Sequence, residues 1–190
     1  IAVPKILGSA STHQAAGFGG FHGRALKRGD ILEIGGDSGK PSAADSGRVR
    51  ELIKTRKTIR VTKGPQLYLF REDALAQFCG SEYVVTEQSN RLGLRLSGPA
   101  LLPFSRAELV TEGVSLGAIQ IPPNGQPIVL FVDQQTTGGY PKLANVIAAD
   151  LHSIGQLRPR DTVRFEVVSV EEAIQALRDQ ELKLAEVFRA

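Results

Sequence analysis

Residues Gly117 to Asp133 read GAIQIPPNGQPIVLFVD, and few folds accept such a stretch. Two apolar runs, each too short for a stable helix, flank Asn124-Gly125, and prolines fence that pair on both sides. Asn-Gly supplies the left-handed backbone of a tight hairpin turn, and proline prevents the runs from joining as one helix. Two paired strands satisfy all of these residues at once. The same grammar recurs along the chain. TIRVT, Thr58 to Thr62, reads as a strand ended by Gly64-Pro65. YVVTEQ and RLGLRLSG read as a hairpin joined through Ser89-Asn90, with Leu92, Leu94 and Leu96 alternating against Gly93 and Arg95. Ile31 and Ile34 suggest another short strand, and TVRFEVV places Val163, Phe165 and Val167 on one side.

Helical signals are fewer. One helix is expected from about Arg71 to Phe78, with Glu72 and Asp73 in its first turn and Gly80 as its cap. A second is expected from Leu143 to Ile154, with Pro141 in its first turn and Leu143, Val146, Ile147, Leu151 and Ile154 on one face. At the C-terminal end Ser169 and Glu172 form a capping box, followed by an apolar stripe of Ala173, Ile174, Leu177, Leu184 and Phe188. Strands outnumber helices and hairpins outnumber crossovers. The expected class is mainly β, a barrel closed or nearly closed, with a few packed helices. Gly35 to Gly47 reads as a loop by composition. Gly19-Gly20-Phe21 followed by Leu26 to Asp30 is echoed by Gly138-Gly139-Tyr140 followed by Leu157 to Asp161, which suggests a duplication.

Several functions are disfavoured. The sequence has no apolar run of about 18 residues and no basic-then-apolar leader. The single cysteine, Cys79, rules out an internal disulfide and suits a reducing, cytoplasmic setting. His13, His22 and His152 are scattered, so no metal site is expected. The net charge of +3 is mild. Arg48 to Lys63 concentrates seven basic residues and one acid, but no aromatic residue interleaves with them, which argues for a solvated loop leading to an edge strand over a nucleic-acid surface. The chain starts at Ile1 and contains no methionine, from which an additional N-terminal part is expected.

The chemistry concentrates in DQQTTGGYPK, Asp133 to Lys142. Read as a turn between a strand and a helix, it offers unpaired backbone N–H groups, glycines that admit a ligand close to the backbone, and the hydroxyls of Thr136 and Thr137. A carboxylate, carbonyl or phosphate suits such a place, as does the plainer alternative of a glycine-rich capped turn. Asp133 is a candidate base or a turn-starting residue. Gln120, alone among apolar neighbours, faces either solvent or a pocket, and Glu112 presents a similar choice. Asn90 and Arg91 belong to a hairpin turn, and Arg91 is a candidate partner for a ligand carboxylate. Gly17 to Arg24 is either a tight loop with aromatic anchors or a binding loop rimmed by His22. Cys79 reads as a small buried hydrophobe.

Three stretches together resemble one family. SNRLGLRLSGP is similar to a Ser-[Asp/Asn]-Arg-hydrophobic-Gly-x-Arg-Leu-x-Gly-Pro block. VTEGVSLGAIQIPPNGQPIVLFVDQQTTGGYPKLANVI resembles that family's longest signature, and VPKILGSASTHQAAGFGGFHGRALKRGDIL resembles its middle segment. The family is that of the 5-oxoprolinase C subunit, also labelled allophanate hydrolase subunit 2 and biotin-dependent carboxyltransferase. The resemblance covers nearly the whole chain and implies a cyclophilin-like β-barrel protein of two related halves, of which residues 1–190 form the C-terminal larger part. It further implies a complex with two partners, the smaller B subunit and the A subunit, that cleaves 5-oxoproline to glutamate with ATP. Catalytic roles then fall to Asp133, Gln120 and Thr136, and substrate binding to Thr137, Gly138, Gly139, Tyr140, Arg91 and Asn90. Two other roles accompany the family: carboxyl transfer from carboxybiotin in urea metabolism, and antagonism of a kinase inhibitor by binding it. The family's Thr-Val-Gln-Asp-x-Gly-Arg and Ser-Gly-x-x-Asp motifs are absent from this sequence.

Overall fold

Short apolar runs bounded by turns leave backbone donors and acceptors that only neighbouring strands can satisfy, and a closed sheet leaves no edge unpaired. The computed structural model shows that solution. It describes residues 1–14, 16–35, 46–104 and 109–188, and the chain divides into two units, Ile1–Ala43 and Ala44–Ala190.

In the first unit, strands β1 (Thr12–His13) and β2 (Phe18–Gly19) pair as a short antiparallel ribbon. The expected strand around Ile31 and Ile34 does not form; both side chains are exposed, and among the described residues no strand of this unit pairs with them.

The second unit opens with α1 (Ser46–Leu52). Then come β3 (Thr58–Lys63), α2 (Ala74–Gly80), β4 (Tyr83–Val85) and β5 (Gly93–Ser97). They are followed by β6 (Glu112–Gly113), β7 (Ala118–Gln120), β8 (Ile128–Leu130), β9 (Thr137–Gly138) and β10 (Lys142–Val146). The unit ends with α3 (Leu151–Ile154), β11 (Thr162–Val167) and α4 (Val170–Phe188). Seven strands close a barrel in the order β10-β3-β11-β4-β5-β8-β7, with β7 pairing back to β10. All of these pairs are antiparallel except β3 with β11. Ile59, Phe165, Tyr83, Leu96, Ile119 and Leu143 are among the side chains that fill the core. Phe78 of α2 stacks on Phe165 at 4.4 Å between ring centroids, so the helix is anchored in the same core. Cys79 packs beside it, partly buried, and burial pushes its thiol above the ordinary range.

The structure corrects several expectations. Only part of the helix foreseen over 143–155 forms: its first four residues belong to β10 (Lys142–Val146), a 3-10 turn follows at Ala148–Asp150, and only Leu151–Ile154 is α-helical. Leu143, Val146 and Ile147 fit a helical stripe, but the barrel closes only if this segment bridges β3 and β7. The helix foreseen at 71–78 begins at Ala74, after Glu72 and Asp73, and includes Gly80. The basic segment is not a loop before an edge strand. It contains α1 and then β3, which has neighbours on both sides. On α4, Ala173, Leu177 and Leu184 lie on the covered face as expected, whereas Ile174 is exposed and Val187 joins the buried side. Within the expected loop at 35–47, residues 36–45 lie outside the described residues, and Ser46-Gly47 already belongs to α1.

The capping box stands as the sequence requires. Ser169 Oγ accepts from the Glu172 N–H at 3.1 Å, and Glu172 Oε2 accepts from the Ser169 N–H at 2.7 Å. Ser169→Ala is expected to lower the unfolding free energy by about 1 kcal/mol. A urea midpoint unchanged from the parent protein would show that α4 is held by packing alone.

The echo noted in the sequence is also structural. In β1–β2, Thr12 pairs Gly19 and His13 pairs Phe18; in β6–β9, Glu112 pairs Gly138 and Gly113 pairs Thr137. Relative to Gly-Gly-aromatic, the two ribbons share one register. The later turns match as well. The Lys27 N–H donates to Asp30 Oδ2 at 2.6 Å with Gly29 at φ 95°, and the Arg158 N–H donates to Asp161 Oδ2 at 2.7 Å with Arg160 at φ 76°.

Candidate functional site

Alternation along β7 decides where its glutamine goes. Ile119 and Ile121 join the core, so Gln120 between them turns to the outer face of the barrel wall. It is nevertheless only 1% exposed. The β6–β9 ribbon accounts for this: a Cβ on Gly138 would stand 2.6 Å from Gln120 Nε2. A side chain at 138 would have to displace that amide, so glycine there lets the ribbon lie close over Gln120. Gln120 Oε1 accepts from Gln135 Nε2 at 3.5 Å, but among the described residues Gln120 Nε2 has no hydrogen-bond partner. A buried amide donor left unpaired costs about 1–3 kcal/mol, so such a group marks a place where an acceptor is missing.

Strand register extends the site into a row. Arg95 of β5 is opposite Ile128 of β8, Ile128 is opposite Gln120 of β7, and Gln120 is opposite Lys142 of β10. Lys142 is an unusual member because its side chain is 6% exposed. Its ammonium donates to Glu112 Oε1 from the ribbon, and Gln66 Nε2 donates to the same oxygen. Gln66 Oε1 in turn accepts the Lys142 backbone N–H at 3.2 Å. The Lys142 hydrogen bond and charge hold the Glu112 carboxyl below the usual carboxylate range, with a smaller contribution from Gln66, against some opposing desolvation. One patch therefore holds a free amide donor, a fixed cation and a half-exposed carboxylate. A group carrying both C=O and N–H, such as a lactam or a urea, can be met by the donor and the acceptor together.

At the other end of the row the wall opens into a cleft of about 560 Å³, lined by Arg95, Ile128, Thr86, Gln126 and Tyr140 among others. Tyr140 is 45% exposed.

The residues singled out from sequence separate into groups. Gln120, Gly138 and Glu112 come together as described. Thr137 and Gly138 form β9, Gly139 follows it, and the Thr136 carbonyl accepts from the Val114 N–H. These residues lie between two strands, β8 and β10, so the helix N-terminus expected after them does not exist and contributes no dipole. Asp133 and Arg91 are engaged with each other, at 2.6 Å from Nε to Oδ2 on an exposed surface. Asn90 Oδ1 accepts from the Leu92 N–H and closes the hairpin turn. Gln66, Lys142 and Arg95 were not anticipated. Their signal was available only through register: a lysine directly after Gly-Gly-Tyr-Pro, and an arginine alternating with leucines. Among the described residues no group of three or more His, Cys, Asp and Glu could hold a metal ion, and no helix is long and apolar enough to cross a membrane.

Comparison with known proteins places this geometry in context. Residues 1–167 match the model of the carboxyltransferase domain, subdomain A and B. The chain is 40% identical over 181 residues to the 5-oxoprolinase C subunit of Escherichia coli, covering 95% of this chain and 57% of that protein. It is 36% identical over 187 residues to the 5-oxoprolinase C subunit of Haemophilus influenzae, covering 98% and 59%. It therefore spans somewhat more than half the length of these relatives. Among solved structures, the Kluyveromyces lactis urea carboxylase superposes with a TM-score of 0.80 at 30% identity, over 97% of this chain and 18% of that one.

Proposed function

This chain belongs to the carboxyltransferase domain, subdomain A and B, family, and from that premise we propose that it is the amide-binding part of an ATP-dependent 5-oxoprolinase, working as the C subunit beside the A and B subunits. The observation that carries the reading is the buried, unpartnered Gln120 Nε2 facing Gly138, one strand away from Lys142 and its Glu112 partner. Its support from relatives is the 40% and 36% identity to proteins named for this activity.

A lactam is resonance-stabilised and resists water. Transfer of the γ-phosphoryl group of ATP to the lactam oxygen releases ADP and leaves an electrophilic ring carbon. Water then adds to that carbon, the C–N bond breaks as the nitrogen takes up a proton, and the γ-acyl phosphate left behind is hydrolysed by a second water, which releases phosphate and leaves glutamate. The chain's part is positioning and charge stabilisation. Gln120 Nε2 donates to the lactam oxygen, and Glu112 accepts from the ring N–H. Lys142 supplies positive charge where the oxygen becomes negative. Thr136, Thr137, Gly138 and Gly139 shape the cover above, and Tyr140 forms a wall. The repeated ribbon supports the view that the chain is the larger part of a two-half protein.

A second reading has an observation of its own, the likeness to the Kluyveromyces lactis urea carboxylase. In it carboxybiotin is a substrate delivered by a separate carrier. A ureido carbonyl fits Gln120 Nε2 as well as a lactam carbonyl does, so this pair of groups does not separate the two.

The test is glutamate release from 5-oxoproline and ATP by the full-length protein with the A and B subunits, each omitted in turn. Turnover that disappears without the protein described here is the expected result. Full turnover in its absence would refute the reading. Binding of the B subunit without any turnover in the complete mixture would move the assignment to a partner-binding role.

A further inference from the structure

Arg91, the arginine expected to hold a ligand carboxylate, is occupied by Asp133. Arg95, four residues on, is different. It projects from the outer face of β5 and is exposed, while Leu94 and Leu96 on either side belong to the core. Its backbone is fixed on both sides: the N–H donates to Ser89 Oγ at 3.0 Å, and the carbonyl accepts from that hydroxyl and from the Thr86 N–H. Among the described residues no carboxylate pairs with its guanidinium. It lines the 560 Å³ cleft, and so does Thr86, whose buried Oγ1 has no hydrogen-bond partner among the described residues. One cleft is thus lined by an arginine and by a threonine with a buried hydroxyl, neither of which has a partner for its side-chain donor among the described residues, and both groups can donate to an anion. Gln88, Asn124 and Gln126 also line it, and no acidic residue is among the described residues that do.

The distance to the amide subsite is set by the sheet. Arg95 and Gln120 are opposite the same residue, Ile128, on either side of it. Their Cα atoms are therefore two strand spacings apart, roughly 10 Å. An arginine extended along the wall shortens that gap to about the span of a small ring bearing a carboxylate.

We infer that Arg95, assisted by the Thr86 hydroxyl, is a carboxylate-binding subsite that selects acidic amides over neutral ones. The inference rests on the reading of Gln120 as the amide subsite. It deepens that reading by separating 5-oxoproline, which carries a carboxylate, from urea, which does not. Arg95 is a specificity-determining residue that makes no contact with the scissile bond, so its loss is felt in KM far more than in kcat.

The experiment compares binding of 5-oxoproline and of 2-pyrrolidinone, its analogue without the carboxylate, to the complete complex by equilibrium dialysis. The wild-type protein, Arg95→Gln and Thr86→Val are each assayed. The wild-type complex is expected to prefer 5-oxoproline by roughly 10- to 100-fold, the range of a charge-assisted hydrogen bond to a carboxylate. In Arg95→Gln the preference is expected to fall to within about threefold, with affinity for 2-pyrrolidinone retained. Thr86→Val should give an intermediate preference. A preference that survives Arg95→Gln, or a wild-type complex that binds both compounds equally or neither, overturns the inference. Parallel turnover assays keep the two ideas distinct. Preferential, Arg95-dependent binding without glutamate release would refute the oxoprolinase reading and leave the subsite standing.

Discussion

Lys142→Met is expected to lower glutamate formation by the assembled complex about 10²- to 10³-fold while leaving the barrel folded. The magnitude follows from what the side chain offers. Its ammonium is held by Glu112 on a covered wall, one strand from the unpaired Gln120 amide. A preorganised charge in such a place does not have to reorganise as negative charge develops on a neighbouring oxygen. Methionine matches the length and apolar character of the buried stem, so packing is kept. Glu112, 48% exposed, regains water when its cation is gone, and the stability cost is correspondingly small. The measurement is kcat and KM beside a thermal midpoint for the same preparation. Turnover within threefold of wild type would remove Lys142 from the site, and a collapsed midpoint would show a structural role instead. The acid limb of stability provides an independent check. Glu112 is held below its ordinary value of 4.5 by Lys142. Its contribution is thus complete above about pH 4.5 and disappears as pH falls through the lower folded value. In Lys142→Met the folded value returns toward the unfolded one, and the decline in stability below pH 4.5 should become shallower.

The strands were legible in the sequence where two cues agreed. At β7–β8, Asn124-Gly125 fixed the turn while apolar runs fixed the strands. At β4–β5 the leucine alternation did the same. The segment 142–154 was misread because its cues conflict. Leu143, Val146, Ile147, Leu151 and Ile154 satisfy a helical stripe, but the barrel takes the first five residues, 142–146, as the strand between β3 and β7. Long-range pairing outweighs a local period, and a single sequence does not display its pairing partners. That error carried over into the site. With the helix gone, the threonine-glycine stretch ceases to be an anion-binding N-terminus and becomes a cover over Gln120. Gln120 itself was visible as a polar residue between isoleucines. Lys142 and Arg95 were not, because their importance comes from lying in one cross-strand row with Gln120, and register is a property of the folded sheet. Arg91 and Arg95 look alike as sequence. Asp133, 42 positions after Arg91, distinguishes them: it pairs with Arg91, whereas among the described residues no carboxylate pairs with Arg95.

Asp150→Ala is expected to remove about 3 kcal/mol or more of stability, equivalent to roughly 6–12 °C in a protein of this size. Asp150 is fully buried. Its carboxylate accepts from the Arg60 backbone N–H at 2.8 Å, from Nε at 3.1 Å and from Nη2 at 2.6 Å, with Arg56 Nε at 3.6 Å. Truncation leaves the Arg60 guanidinium, 23% exposed in its side chain, without its counter-charge. It also strands a backbone donor of β3. The cost is that of an uncompensated group, which exceeds the net worth of the pair itself. The double variant Asp150→Ala, Arg60→Met should therefore be more stable than the single one, a reversal that simple loss of packing at Asp150 does not produce. The comparison is made by urea unfolding monitored by far-UV circular dichroism. A single-variant loss below 1 kcal/mol, or a double variant no better than the single, would contradict the assignment. The consequence extends to the site. Asp150 follows β10 and ties the chain after it to β3, so it fixes the end of the strand whose first residue is Lys142. Destabilisation there should loosen the register between Lys142 and Gln120, so Asp150→Ala is expected to lose turnover at temperatures well below its own midpoint.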